Sequence, residues 1–118
     1  MKQYIQDAIR TESSQFNLNG EQRLLHAGMG LVTESAEFLD ALKKTFFYGK
    51  ELDKVNLKEE LGDILWYMAV ACDVLGTDFE MEMTRNINKL RARYPEKFES
   101  HKAENRNLDE ERKILETE

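Results

Sequence analysis

Ile64-Leu65-Trp66-Tyr67-Met68-Ala69-Val70-Ala71-Cys72 runs for nine residues without a charge, inside a stretch from about Lys54 to Leu75. Apolar positions recur there every three or four residues, the spacing of a helix. Leu57, Leu61, Ile64, Leu65, Met68, Cys72 and Leu75 make its main stripe and are expected in the core. A helix with one buried face shows polar residues at every turn, so this one is expected to be covered on nearly all sides. In so short a chain that points to a partner subunit, with Trp66 and Val70 as the interface residues, and so to a homo-oligomer. The competing reading is a central helix wrapped by its own neighbours.

Working outward, Asp53 is the expected N-cap of this helix and Gly76 its stop. Upstream, Leu24, Gly28, Leu31, Val32, Ser35, Phe38, Leu39 and Leu42 place another helix from about Glu21 to Thr45. Phe46-Phe47-Tyr48-Gly49-Lys50 closes it, with Gly49 as the turn residue. Residues 2–12 read as a first helix with Tyr4, Ile5 and Ala8 as its stripe, and Ser13 to Asn19 as a linker whose side chains compete for backbone hydrogen bonds. Downstream, Thr77 or Asp78 caps a helix that runs to about Arg93 and ends at Tyr94-Pro95. The remainder is polar and of mixed charge, with one short helix over Leu108 to Glu116 that is not expected to sit against the core. The expectation is an all-α, four-helix bundle-like domain over residues 1–98 and a polar tail over 99–118.

The 118 residues carry 17 Lys and Arg against 23 Asp and Glu, a formal charge of −6, with one Pro and one Cys. No stretch is long and apolar enough for a membrane span, and the N-terminus lacks a signal-peptide core, so a cytoplasmic protein is expected. A single cysteine, Cys72, excludes an internal disulfide and reads as core. The acidic balance argues against sequence-independent nucleic-acid binding, which needs a basic face.

The chemistry lies in two pairs of acids. Glu34 and Glu37 are three apart on the second helix, and Glu60 and Asp63 three apart on the third, so each pair shares one helix face. Either pair alone is an ordinary surface pattern. Together, each offset in the same sense from its core stripe, they converge if the helices lie antiparallel. The small residues Ala27, Gly30 and Ala41 leave room around the first pair, and Gly62, between the members of the second, suggests close packing or a ligand. Four carboxylates in a partly dry place either take up protons or hold hard cations. All-oxygen ligands without His or Cys suit Mg²⁺ or Mn²⁺. Neither His26 nor His101 follows a Glu at the spacing that a di-iron site needs.

Glu34-x-x-Glu37, a 22-residue spacer and Glu60-Leu61-Gly62-Asp63-Ile64-Leu65, followed by Asn86-Ile87-Asn88-Lys89-Leu90-Arg91-Ala92-Arg93-Tyr94-Pro95, resemble the MazG-type nucleotide pyrophosphohydrolases. These belong to the all-α nucleoside triphosphate pyrophosphohydrolase superfamily, and the resemblance runs from about His26 to Phe98. It implies Mg²⁺-dependent hydrolysis of a nucleoside triphosphate between the α- and β-phosphates, giving a monophosphate and pyrophosphate. It also implies Glu34, Glu37, Glu60 and Asp63 as metal ligands, and Asn86, Lys89 and Arg93 as phosphate contacts on one face of the fourth helix. A homodimer or homotetramer is the expected assembly. Some members carry a basic residue four positions before the Glu that opens the second pair; here Asn56 stands there. Such hydrolysis is mainly positioning and charge neutralisation, and Glu34 or Glu37 is expected to take the proton of the attacking water.

Gln15, Phe16, Asn17, Gln22 and His26 are candidates for base recognition, with ordinary packing as the alternative; Phe46-Phe47-Tyr48 reads as a lid or as a hydrophobic corner. Two competing functions remain open: a narrow-specificity pyrophosphatase of the dUTPase kind, and a non-catalytic helical scaffold whose acids are surface charge.

Overall fold

The structure is a computed structural model that describes residues 2–15 and 17–117. Phe16 lies outside the described residues. Among those described, the regular elements are helices and no strand is present: α1 (Lys2–Ile9), α2 (Gly20–Tyr48), α3 (Lys54–Leu75), α4 (Phe79–Arg93), α5 (Ser100–Glu104) and α6 (Leu108–Leu115). Among the described residues the all-α expectation holds: α1 to α4 and α6 fall where helices are expected, and α5 is additional. No helix among the described residues is long and apolar enough to cross a membrane. The chain divides into two compact units, Met1–Asp78 and Phe79–Glu118.

Local chemistry sets the helix ends of the first unit. The Asn19 Oδ1 accepts from the Gln22 backbone N–H at 2.9 Å while the Gln22 side chain accepts from the Asn19 N–H at 3.0 Å, a reciprocal cap that starts α2. That engagement accounts for Gln22, one of the candidate base contacts. Asp53 caps α3 by accepting from the Asn56 N–H at 3.0 Å. Gly49 and Gly76 end α2 and α3 at φ 69°, a left-handed conformation that costs glycine little.

Helices α2 and α3 run antiparallel, and their partners step along the seam in register. Gly20 lies against Val74, Arg23 pairs with Asp73 at 2.7 Å, Gly30 faces Tyr67, and Glu34 meets Glu60 and Asp63. Arg23 also holds Glu12 at 2.6 Å, which ties the segment after α1 to this hairpin. The space left by Gly30 is filled by the Tyr67 ring: a Cβ on residue 30 would sit 2.1–2.3 Å from it. At Gly62, by contrast, an added Cβ would meet nothing within 4 Å, so the close packing suggested by its position is absent.

The interface assigned to Trp66 and Val70 is corrected by α1. Val70 is fully buried within its own chain. The Trp66 Nε1–H donates to the Ala8 carbonyl at 3.1 Å and to Thr11 Oγ1 at 2.7 Å, while Ile5 and Ala8 of α1 are buried. The central helix is thus covered there by its own neighbour. Part of the expected core stripe is also exposed: Leu61, Leu65, Met68 and Leu75 on α3, and Val32 and Leu39 on α2. On α2 the seam instead uses the small residues Ala27 and Gly30, both buried, which let the backbones approach.

In the second unit, α6 packs on α4. Glu111 is 3% exposed and joins Arg93 at 2.7 Å to Arg106 at 2.6 Å. Tyr94 and Phe98 pack with ring centroids 5.3 Å apart.

Gly30→Ala is expected to lower stability by about 1–3 kcal/mol, because the Tyr67 ring must leave a place also bounded by Trp66 and His26. Urea unfolding of the two proteins measures it, and equal midpoints would show that the ring yields without cost.

Candidate functional site

The in-register seam of α2 and α3 carries acids where an apolar pair would ordinarily sit. One carboxylate oxygen each from Glu34, Glu60 and Asp63 lie within 4.8 Å of one another. Glu60 is 8% exposed, Glu34 half-buried and Asp63 open to solvent, so the group has a dry end and a wet end. Among the described residues no ion pair reaches any of the three.

Burial and this crowding raise the Glu60 pKa above the ordinary carboxylate value. Desolvation is the largest cause, followed by a hydrogen bond with Glu34 and by the charges of Glu34, Asp63 and Glu37. Asn56, one turn earlier on α3, donates from Nδ2 to the Glu60 Oε1 at 3.1 Å. The residues fit a hard divalent cation: oxygen donors alone, crowded together, with no Lys or Arg among the described residues paired to them.

The other expected site residues are placed as follows. Glu37 is exposed on α2, outside the close trio, though its charge is felt at Glu60. Asn86 is exposed and Lys89 half-buried on α4 in the second unit. Arg93 lies on the same helix, with its Nε–H donated to Glu111 Oε1 at 2.7 Å and its guanidinium 5.5 Å from the Tyr94 ring centroid. His26, a candidate base contact, sits edge-on to Tyr67 and Trp66 with centroids 5.6 and 6.5 Å away. Gln15 and Asn17 are exposed, and Asn17 adopts φ 45° in the linker. Phe46, Phe47 and Tyr48 are all exposed at the end of α2.

Residues 22–98 match the model of the MazG nucleotide pyrophosphohydrolase domain. The chain belongs to the MazG family. That match takes in α3 whole, both acid pairs and the α4 residues Asn86, Lys89 and Arg93. The chain is also similar to the Gene 37 protein of Mycobacterium phage L5, at 34% identity over 59% of this chain and 65% of that protein. It therefore spans less than two thirds of that relative's length. No solved structure matches.

The arginine cradle of the second unit yields a pH signature. Hydrogen bonds from Arg93 and then Arg106 hold the Glu111 carboxyl at about 2, below its ordinary 4.5. Between those values the unfolded chain binds a proton that the folded chain does not, so stability rises with pH there and is lost as pH falls from 4.5 through 2. In an acid titration followed by circular dichroism, Glu111→Gln is expected to be less stable than wild type above pH 4.5, and this deficit is expected to shrink toward pH 2. A deficit constant with pH would contradict the assignment.

Proposed function

We propose that this MazG-family chain hydrolyses a nucleoside triphosphate between its α- and β-phosphates, releasing the monophosphate and pyrophosphate, with Mg²⁺ or Mn²⁺ as cofactor. The observation that carries this reading is the convergence of Glu34, Glu60 and Asp63, three carboxylates within 4.8 Å that no basic side chain among the described residues neutralises. Such a group is costly to fold around unless positive charge enters it. A triphosphate is anionic and needs the same ion, so one divalent charge satisfies both partners.

In this reading Glu34, Glu60 and Asp63 hold the metal, and Glu37 completes the set from the solvent side. A bound divalent cation supplies neutralisation of phosphate charge and a lowered pKa for a coordinated water. Glu37, outside the close trio, is the carboxylate best placed to remain unsaturated and to take the proton of the attacking water, with Glu34 as the other candidate for that role. Asn86 and Lys89 offer a neutral donor and a cation for phosphate oxygens. Arg93 joins them by helical spacing, with its Nε–H already committed to Glu111.

The same chain is proposed to work as a homo-oligomer, at least a dimer. Leu25, Met29, Val32 and Leu39 on α2 are each at least 60% exposed and follow the alternating four- and three-residue spacing of a helix–helix seam, with Ala36 completing it. Exposed apolar surface of this extent marks an interaction site, and an antiparallel copy of α2 supplies the matching stripe.

Pyrophosphate release is measured on a panel of ribo- and deoxyribonucleoside triphosphates, dUTP included, with and without Mg²⁺. The expected result is metal-dependent release that falls about 10–100-fold or more in Glu60→Gln, since changes even one shell further out reach that size. Release from no nucleotide, or equal release by the variant, would leave the scaffold reading in its place. Light scattering is expected to give a mass of at least twice 13.8 kDa for wild type and 13.8 kDa for Val32→Glu. A wild-type mass of 13.8 kDa would end the oligomer proposal.

A further inference from the structure

Asn56 occupies the position, one helical turn before Glu60, from which a side chain reaches that carboxylate directly. Its Nδ2 lies 3.1 Å from Glu60 Oε1, and Glu60 is the buried member of the acid trio. We infer that Asn56 is a positioning residue for the metal site: its amide fixes the Glu60 carboxylate toward Glu34 and Asp63 without cancelling its charge. The inference rests on the metal-binding reading given above and adds to it a residue outside the ligand set.

The chemical identity of residue 56 matters because Glu60 is nearly buried. Left without a donor, a carboxylate 8% exposed is free to turn about its last torsion and loses hydrogen bonding on one oxygen. The neutral amide of Asn56 supplies that donor. Outer partners of this kind orient metal-binding carboxylates and set their affinity. The backbone of Asn56 is separately held, its N–H donated to the Asp53 cap at 3.0 Å, so the side chain is not needed to start α3. Alanine is moreover the better helix former at this position.

The full chain, freed of metal, is titrated with Mn²⁺ by calorimetry and by the electron paramagnetic resonance signal of unbound Mn²⁺. Asn56→Ala is expected to bind about tenfold more weakly than wild type. Asn56→Gln, which keeps the amide, recovers most of that loss, and Glu59→Gln, next to Glu60 in sequence, binds as wild type does. Circular dichroism of metal-free Asn56→Ala is expected to keep the wild-type helix content, which separates lost orientation from lost fold. Wild-type affinity in Asn56→Ala overturns the role of Asn56 while leaving the metal site standing. A loss that Asn56→Gln does not restore overturns the amide as its cause. Wild-type protein that binds no Mn²⁺ overturns both this inference and the metal reading beneath it.

Discussion

Three carboxylates forced into one small volume are the constraint around which the first unit is arranged. Glu34, Glu60 and Asp63 meet because α2 and α3 hold a fixed antiparallel register. That register is maintained away from the acids, by the Arg23–Asp73 pair at one stage of the seam and by Tyr67 seated on Gly30 at another. Buried Ala27 lets the helices come close, and the Trp66 hydrogen bonds to the end of α1 and the turn after it fix the rotation of α3 about its axis. Repulsion among the acids works against all of these contacts, and together with burial it raises the Glu60 pKa. The contacts along the rest of the seam are what keep the group assembled.

Much of the helical layout could be read directly from local chemistry. Asp53, Gly49 and Gly76 act within a few residues of where they stand, so capping and left-handed turns follow from the chain itself. The acid spacing was legible for the same reason, since three-residue steps fix a shared face whatever else the chain does. The core face was less legible. Both α2 and α3 carry apolar residues on more than one side, and periodicity cannot tell which stripe the chain covers by itself. The α2 side of the seam is built of Ala27 and Gly30, whose value lies in close approach rather than in hydropathy.

Contacts that span long stretches of sequence were beyond reach. Trp66 bonds to Ala8, 58 positions away, and Arg93 to Glu111, 18 positions away, so neither left a mark in local spacing. The first of them explains where the sequence misled, because it turns Trp66 onto its own chain and not onto a partner subunit. Asn56 is the intermediate case. Its spacing to Glu60 was visible as that of helical neighbours, yet it read as a missing cation, because only the folded chain shows the amide turned onto the carboxylate.

All three carboxylates and the seam that carries them lie between residues 20 and 75, joined by the five-residue link between α2 and α3. Their encounter therefore requires no distant loop to close, and the entropy spent on it is that of a single helical hairpin. Assembly in time follows from this locality. Contacts near in sequence form fastest, so the chain meets its electrostatic conflict while the hairpin is forming, ahead of any docking by later segments.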